Sequence, residues 1–410
     1  MILIDPKSCL DKKQSKQLIT KNIMKIAKSV NRLGTEAVYS IFAKTKKLAK
    51  QGKKIIDLSL GQSDFKSPKH AVDATIQALK DGHHGYTLPN GIIECREAVS
   101  RKIKTLYKAN IDPERIVIMP GGKPTMHYAI SFFGEHDAEI IYPDPGFPIY
   151  QSMINYTGAK AVRYNLTENK DFLINSDKIL SLINEKTRLL ILNNPHNPTG
   201  GFTEKTVIDK LAKGLINFPY VTILCDEIYD RLIFDKKEIP TFFNYPDLYD
   251  RLIVLNGWSK TYAMTGWRLG WGVWPENLVE HVFKFCVNNH SCVNTAAQYG
   301  AIAALEGPED HLKDMMNEFV IRRKLIVDGL RSLKGVECSL PGGSFFVFPN
   351  VKGTGMNGEE FTERCLQEAG VAMIPGIAFG EFATDYVRFN FATSQDNISK
   401  ALEKINNMLG

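Results

Sequence analysis

The sequence has little of what marks membrane, secreted or nucleic-acid-binding proteins. No stretch approaches the roughly 20 consecutive apolar residues of a helical membrane span. The seven cysteines are odd in number and include no C-x-x-C spacing, which argues against a disulfide framework or a zinc site and for a reducing compartment. No metal site is therefore expected. Charge of one sign is also scarce: 51 basic against 45 acidic residues leave a net +6, and the lysines are spread rather than clustered as in strong nucleic-acid binders. The N-terminus lacks a signal peptide's apolar core and cleavage site, and it lacks the arginines of a mitochondrial presequence. The expected location is cytoplasmic. There is no internal repeat and no low-complexity tract.

What is present is an ordinary globular composition, 44% hydrophobic and 23% charged over 410 residues, enough for two or three domains. Residues 1–30 are lysine-rich, with Leu18, Ile19, Ile23, Ile26 and Val30 at helical spacing, and read either as an amphipathic arm or as a frayed tail. From Ile55 onward strand-like and helix-like segments alternate. Ser67-Pro68 reads as a helix cap and first turn, with Gly82 near the end. Apolar runs at Ile116–Met119, Ile140–Tyr142, Leu189–Leu192, Val221–Cys225 and Leu252–Leu255 read as buried strands of a mostly parallel sheet covered on both faces, an α/β architecture. The last hundred residues differ. A long helical stretch from about Ala296 to Leu333, broken near Gly307-Pro308, precedes short strands at Ser344–Phe348 and Tyr386–Phe391 and an amphipathic helix over Gln395–Leu409. These form a second, smaller α+β domain that the N-terminal segment is able to join.

Ligands of open α/β sheets gather outside the carboxyl ends of the strands, and several reactive motifs fall there. Asp226 follows the run Val221–Cys225, either as a helix N-cap or as a carboxylate that keeps a pyridine nitrogen protonated; Tyr229 lies three residues on. Gly121-Gly122-Lys123 closes one strand and opens a helix, a plain turn or a phosphate cradle of free N–H groups. Lys260 follows the strand Leu252–Leu255. Any single lysine is by default a surface residue, but Arg268 stands eight residues further on, and a desolvated lysine among cations has a lowered pKa and forms Schiff bases. Arg268 itself either forks onto phosphate or stacks on Trp267. Phe147, after Pro143-Asp144-Pro145-Gly146, is a core residue or a ring stacked on a cofactor. Asn194-Pro195-His196-Asn197-Pro198-Thr199-Gly200 makes a rigid turn that presents Asn197, while His196 receives no role. Arg388 alternates with apolar neighbours on a predicted strand, so an anion is expected opposite it. An amine, a phosphate cradle, a ring-nitrogen partner, a stacking ring and a carboxylate clamp are the parts that pyridoxal 5′-phosphate chemistry needs.

In these residues the chain resembles the class I/II aminotransferases, the fold-type-I pyridoxal-phosphate enzymes, over about residues 31–408. Asn194–Gly200, Ser259-Lys260 through Thr265-Gly266-Trp267-Arg268, and Val387-Arg388 with Ala392-Thr393-Ser394 carry the likeness; Gly61–Phe65, Gly85-Tyr86-Thr87, and Pro375-Gly376 with Phe379-Gly380 extend it. The resemblance implies a large domain with a mostly parallel seven-stranded sheet and a smaller α+β domain. Its bounds are an arm at 1–30, small-domain segments at 31–64 and 305–410, and a large domain at 65–304. It further implies that Lys260 holds the cofactor and moves the proton, and that Asp226 pairs with the ring nitrogen. Asn197 and Tyr229 flank the ring oxygen, Phe147 stacks, and Gly122, Lys123 and Arg268 hold the phosphate. Arg388, with Asn197 and the backbone of Gly61, binds the substrate. Tyr86 corresponds to a tyrosine that reaches the phosphate of a neighbouring subunit, implying a homodimer with shared sites.

Four departures accompany the likeness. Pro124 removes one backbone donor near the phosphate, and Phe346 and Ile377 make the substrate region more apolar. No arginine lies between Arg268 and Arg322, where one branch of the family holds a distal carboxylate. The expected reaction is amino transfer from an L-amino acid to a 2-oxo acid by ping-pong kinetics. A cysteine-conjugate β-lyase on the same scaffold is the alternative; a ligand-sensing regulator needs a DNA-binding domain for which about thirty leading residues are too few.

Overall fold

The computed structural model describes residues 25–168, 171–235 and 239–410. Most of the arm expected at 1–30 lies outside the described residues. The described residues form twelve strands, numbered in chain order from β1 (Ile56–Asp57), and β2 (Ile116–Met119), β3 (Glu139–Asp144), β4 (Lys160–Asn165), β5 (Thr187–Asn193), β6 (Thr222–Asp226), β7 (Leu252–Gly257) and β8 (Gly270–Val273) form one seven-stranded sheet. Its order is β2-β8-β7-β6-β5-β3-β4. Only β8 runs against its neighbours, pairing antiparallel with both β2 and β7. The carboxyl ends of the other six strands, and the amino end of β8, therefore lie on one rim.

The apolar runs form strands because side chains of alternating residues enter two separate cores. Ile116, Ile118, Leu190, Leu192, Ile223, Cys225 and Val254 pack on one face with Ala98, Val99, Ile103 and Leu211. Val117, Met119, Leu189, Ile191, Leu224, Ile253 and Leu255 pack on the other with Met126, Tyr150, Met153 and Val282. Each buried aliphatic side chain stabilises the fold by about 1.5–3 kcal/mol relative to exposure.

Two strands escape the sequence pattern. β4 is an edge strand with polar and apolar residues mixed, and β8 reads Gly-Trp-Gly-Val. The glycines of β8 are steric requirements: a Cβ on Gly270 would lie 2.4 Å from the Gly121 carbonyl carbon.

The second unit carries β9 (Phe346–Val347), β11 (Ile374–Pro375) and β12 (Val387–Asn390) in the order β11-β12-β9. β1, in the segment before the large sheet, pairs in parallel with β10 (Val371–Ala372). Helices Thr295–Glu306 and Asp310–Ser332 are interrupted where Gly307-Pro308 stands, and the last helix spans Gln395–Leu409 with Ser394 as its cap. One reading needs correction. Ser67 does not cap the helix Lys69–Lys80, whose N-cap is Pro68. Its hydroxyl donates to Ala263 O at 3.1 Å and accepts from Trp267 Nε1 at 3.0 Å, tying the chain to the loop that carries Lys260.

Candidate active site

The rim opens into a cavity of about 260 Å³ lined by Gly61, Gly122, Lys123, Phe147, Asn197, Asp226, Tyr229, Lys260, Arg268 and Arg388, among others. Ten residues singled out in the sequence thus converge, from β2, β3, β5, β6, β7, β8 and β12 or the turns beside them.

Lys260 leaves the end of β7 on a loop that returns to β8. Its Nζ donates to Gly61 O at 2.6 Å. Burial, then the nearby Arg388 and Arg268, push the amine down to about 8, with Asp226 opposing. Tyr229 and Phe345 wall it, with ring centres 5.7 and 5.6 Å from Nζ. Asp226 is the last residue of β6. Its Oδ2 accepts from the Tyr150 hydroxyl at 2.6 Å and its Oδ1 from Ile228 N at 3.3 Å. Burial raises the carboxyl to about 6 despite those bonds. A cationic partner at this point would restore the carboxylate.

At the opposite wall, Arg388 of β12 donates to Asn197 Oδ1 at 3.0 Å and Ser59 O at 2.7 Å. Its guanidinium lies between Phe346 and Phe379, 4.3 and 4.7 Å from their ring centres. No carboxylate of the described residues forms an ion pair with it, Nε is without a partner, and burial lowers its pKa to about 10. A buried guanidinium with open donors and no anion is a receptor for one. Asn197 is held for this by its own N–H donating to Asn193 Oδ1 at 2.9 Å.

Phosphate-type donors gather at the other end. Gly122 is the N-cap of the helix Lys123–Phe133, whose second residue is Pro124. Arg268, in the left-handed region at φ 55°, donates to Thr265 O and lies against Gly121. At Gly121 φ is +92° and an added Cβ would stand 2.1 Å from Arg268 Nη2, so only glycine lets the guanidinium reach the helix terminus. The Lys123 ammonium turns away and ion-pairs with Glu36. Phe147 is half-buried, at the N-cap of the helix Pro148–Thr157, and its ring borders the cavity.

Tyr86 is not brought to this cavity. It is 93% exposed and borders a separate hollow with Leu79, His83 and Thr295. Ile377, expected to make the substrate region apolar, is not among the lining residues, whereas Phe346 is. His196 is buried, bonded through Nδ1 to Thr199 Oγ1, and held near 3 by burial, in keeping with its having no assigned role. Sequence reasoning missed Tyr150, Glu36, Tyr39 and Asn193. Tyr150 had one available signal, its position one helical turn after Phe147 on the same face.

No cluster of potential metal ligands occurs among the described residues. The donor set fits pyridoxal phosphate instead: a neutralisable amine, a buried carboxylate whose ionised form needs a cation, and a helix terminus with an arginine that a glycine admits.

Comparison with known proteins agrees. The family described as aminotransferase class I and II matches residues 53–405. A probable aspartate aminotransferase of Methanocaldococcus jannaschii is 37% identical, with 85% of this chain and 91% of that protein covered. A (5-formylfuran-3-yl)methyl phosphate transaminase of the same organism is 35% identical over 91% of this chain and 96% of that protein. The solved aspartate aminotransferase of Rhizobium meliloti has a TM-score of 0.90 at 28% identity, covering 94% of this chain and 99% of that one. With its cavity and chain-length match, this protein belongs to the aminotransferase class I and II family, whose members depend on pyridoxal phosphate.

Proposed function

We propose that the chain transfers an amino group from an L-amino acid to a 2-oxo acid in the cavity around Lys260. The observation that carries this reading is the Lys260 amine, desolvated and within electrostatic range of both the Asp226 carboxylate and Arg388 in one cavity. Arg388 and Asn197 bind the substrate α-carboxylate, and the Gly61 backbone approaches the substrate. This would turn the Cα–H bond toward Lys260, whose Nζ would take the proton and return it. Bound pyridoxal phosphate supplies the electron-accepting ring. Asp226 would pair with the ring nitrogen, Tyr229 and Asn197 would hydrogen-bond the ring oxygen, Phe147 would stack on the ring, and Gly122, the Lys123 backbone and Arg268 would hold the phosphate.

A homodimer with shared sites is supported by Tyr86, which is exposed and shares a surface hollow with Leu79, and by the exposed apolar residues Val72, Ile76 and Leu88. The six described cysteines are all free, in keeping with a cytoplasmic setting. The relatives named above are aminotransferases or transaminases, which does not favour the cysteine-conjugate lyase. Near-equal identity to proteins named for different substrates means that those names do not choose the amino donor. The deciding experiment mixes holoenzyme with one amino acid and no acceptor. Stoichiometric 2-oxo acid without ammonia is expected; catalytic ammonia and pyruvate from a cysteine conjugate would replace this reading with the lyase.

A further inference from the structure

Six charged residues line the cavity: Glu36, Lys123, Asp226, Lys260, Arg268 and Arg388. Four of them have work in the reading above. The remaining two pair with each other. Glu36 immediately precedes the helix Ala37–Lys50, yet its side chain caps none of that helix's N–H groups. It reaches across to the large sheet's side of the cavity and is 12% exposed, against 43% for Lys123. Two rings frame the pair: the Lys123 Nζ stands 5.9 Å from the centre of Tyr39 and 5.5 Å from that of Phe147. Val38, Leu60 and Ile228 complete an apolar lining beside it.

We propose that the Glu36–Lys123 ion pair is the specificity element for the substrate side chain, selecting uncharged aliphatic or aromatic amino acids over dicarboxylic ones. This rests on the transamination reading and on Arg388 taking the α-carboxylate. A free Lys123 would be a receptor for a second carboxylate. Glu36 cancels that charge and places its own anion within electrostatic range of both Lys260 and Arg388. A dicarboxylate entering the cavity meets this anion, or must displace it and leave the mostly buried Glu36 without its partner. An uncharged side chain leaves the pair intact and packs on Tyr39, Phe147 and Ile228.

The test uses two unreactive acids, succinate and 3-phenylpropionate, titrated calorimetrically into holoenzyme. Both offer one carboxylate to Arg388; they differ at the far end. Wild type is expected to bind 3-phenylpropionate more tightly. Glu36→Gln should tighten succinate by about tenfold and leave 3-phenylpropionate within about twofold. Adding Lys123→Gln to that variant should erase the gain. Lys123→Gln alone, which keeps the acidic side chain, should weaken succinate further and covers the case in which Glu36→Gln does not fold. An unchanged ratio of the two dissociation constants in Glu36→Gln, or a gain that survives in the double variant, overturns the proposal. A folded wild-type holoenzyme that binds neither acid removes Arg388 as the carboxylate receptor and overturns the proposal, whereas the transamination reading fails separately, on the half-reaction with one amino acid.

Discussion

Tyr150 donates its hydroxyl to Asp226 Oδ2 at 2.6 Å from the helix that Phe147 begins. A ring that borders the cavity and the hydroxyl that orients the buried carboxylate thus belong to one short element. Tyr150 is a positioning residue, and its bond is one of the forces keeping Asp226 from rising further. Tyr150→Phe should lower kcat by about tenfold and move the acid limb of the pH–rate profile upward, because the lost bond favours the protonated acid. A purely structural role would lower stability without moving that limb.

Lys260 gives two linked expectations. Borohydride reduction of holoenzyme followed by peptide mapping should tag residue 260, and Lys260→Met should have no turnover. In the apoprotein the folded pKa is about 8 against an ordinary lysine value of 10.5, so the unfolded chain binds the extra proton between those values. Apoprotein stability should therefore rise from about pH 8 to pH 10.5. Lys260→Met should remove that rise and be more stable at pH 7 by an amount on the order of 2 kcal/mol. Denaturant titrations across pH would show either pattern.

Arg388→Lys keeps a cation but loses the fork that spans Asn197 and the incoming carboxylate. A loss of about 10²-fold in kcat/KM is expected, alike for every amino acid, with cofactor binding retained. A loss confined to one substrate class would contradict α-carboxylate recognition.

Gly121→Ala introduces a side chain at φ +92° and toward Arg268. The backbone strain costs about 1–2 kcal/mol, and the displaced guanidinium should weaken pyridoxal phosphate binding. Equilibrium dialysis of the cofactor reads the second effect separately from melting temperature.

The proposed homodimer with shared sites can be tested by complementation. Lys260→Ala and Tyr86→Ala homodimers should both be impaired. Unfolding and refolding them together creates heterodimers in which one site has both native side chains. Activity should return in the mixture; its absence would mean that Tyr86 serves no neighbouring site.

The sequence made some of this legible and hid the rest for physical reasons. The strands Ile116–Met119 and Leu252–Gly257 are buried on both faces and so read as unbroken apolar runs. β4, half-exposed at an edge, and β8, made glycine-rich by close contact with Gly121, carry no such pattern. The site residues were readable as an ordered set of chemical types, which the rim then gathers. Glu36 was not, since a glutamate before a helix has the appearance of an ordinary end-residue. Its partner Lys123 was read for its position at the helix start, which says where the backbone goes and nothing of the ammonium. Ser67 shows the reverse error, a plausible cap whose hydroxyl is drawn away by a loop distant in sequence.

The reversal of β8 has one more outcome. Because Gly257 sits opposite Gly270, a single strap of chain leaves the sheet, delivers Lys260, delivers Arg268 and returns. Trp258 Nε1 anchors it to Ala301 O, and Trp267 Nε1 anchors it to Ser67. The Lys260 amine and the Arg268 guanidinium are thus metered off the same tape between two fixed posts. An added or deleted residue in that stretch would slide them out of step while every strand stayed paired, so length variation here is tolerated by the scaffold and refused by the chemistry.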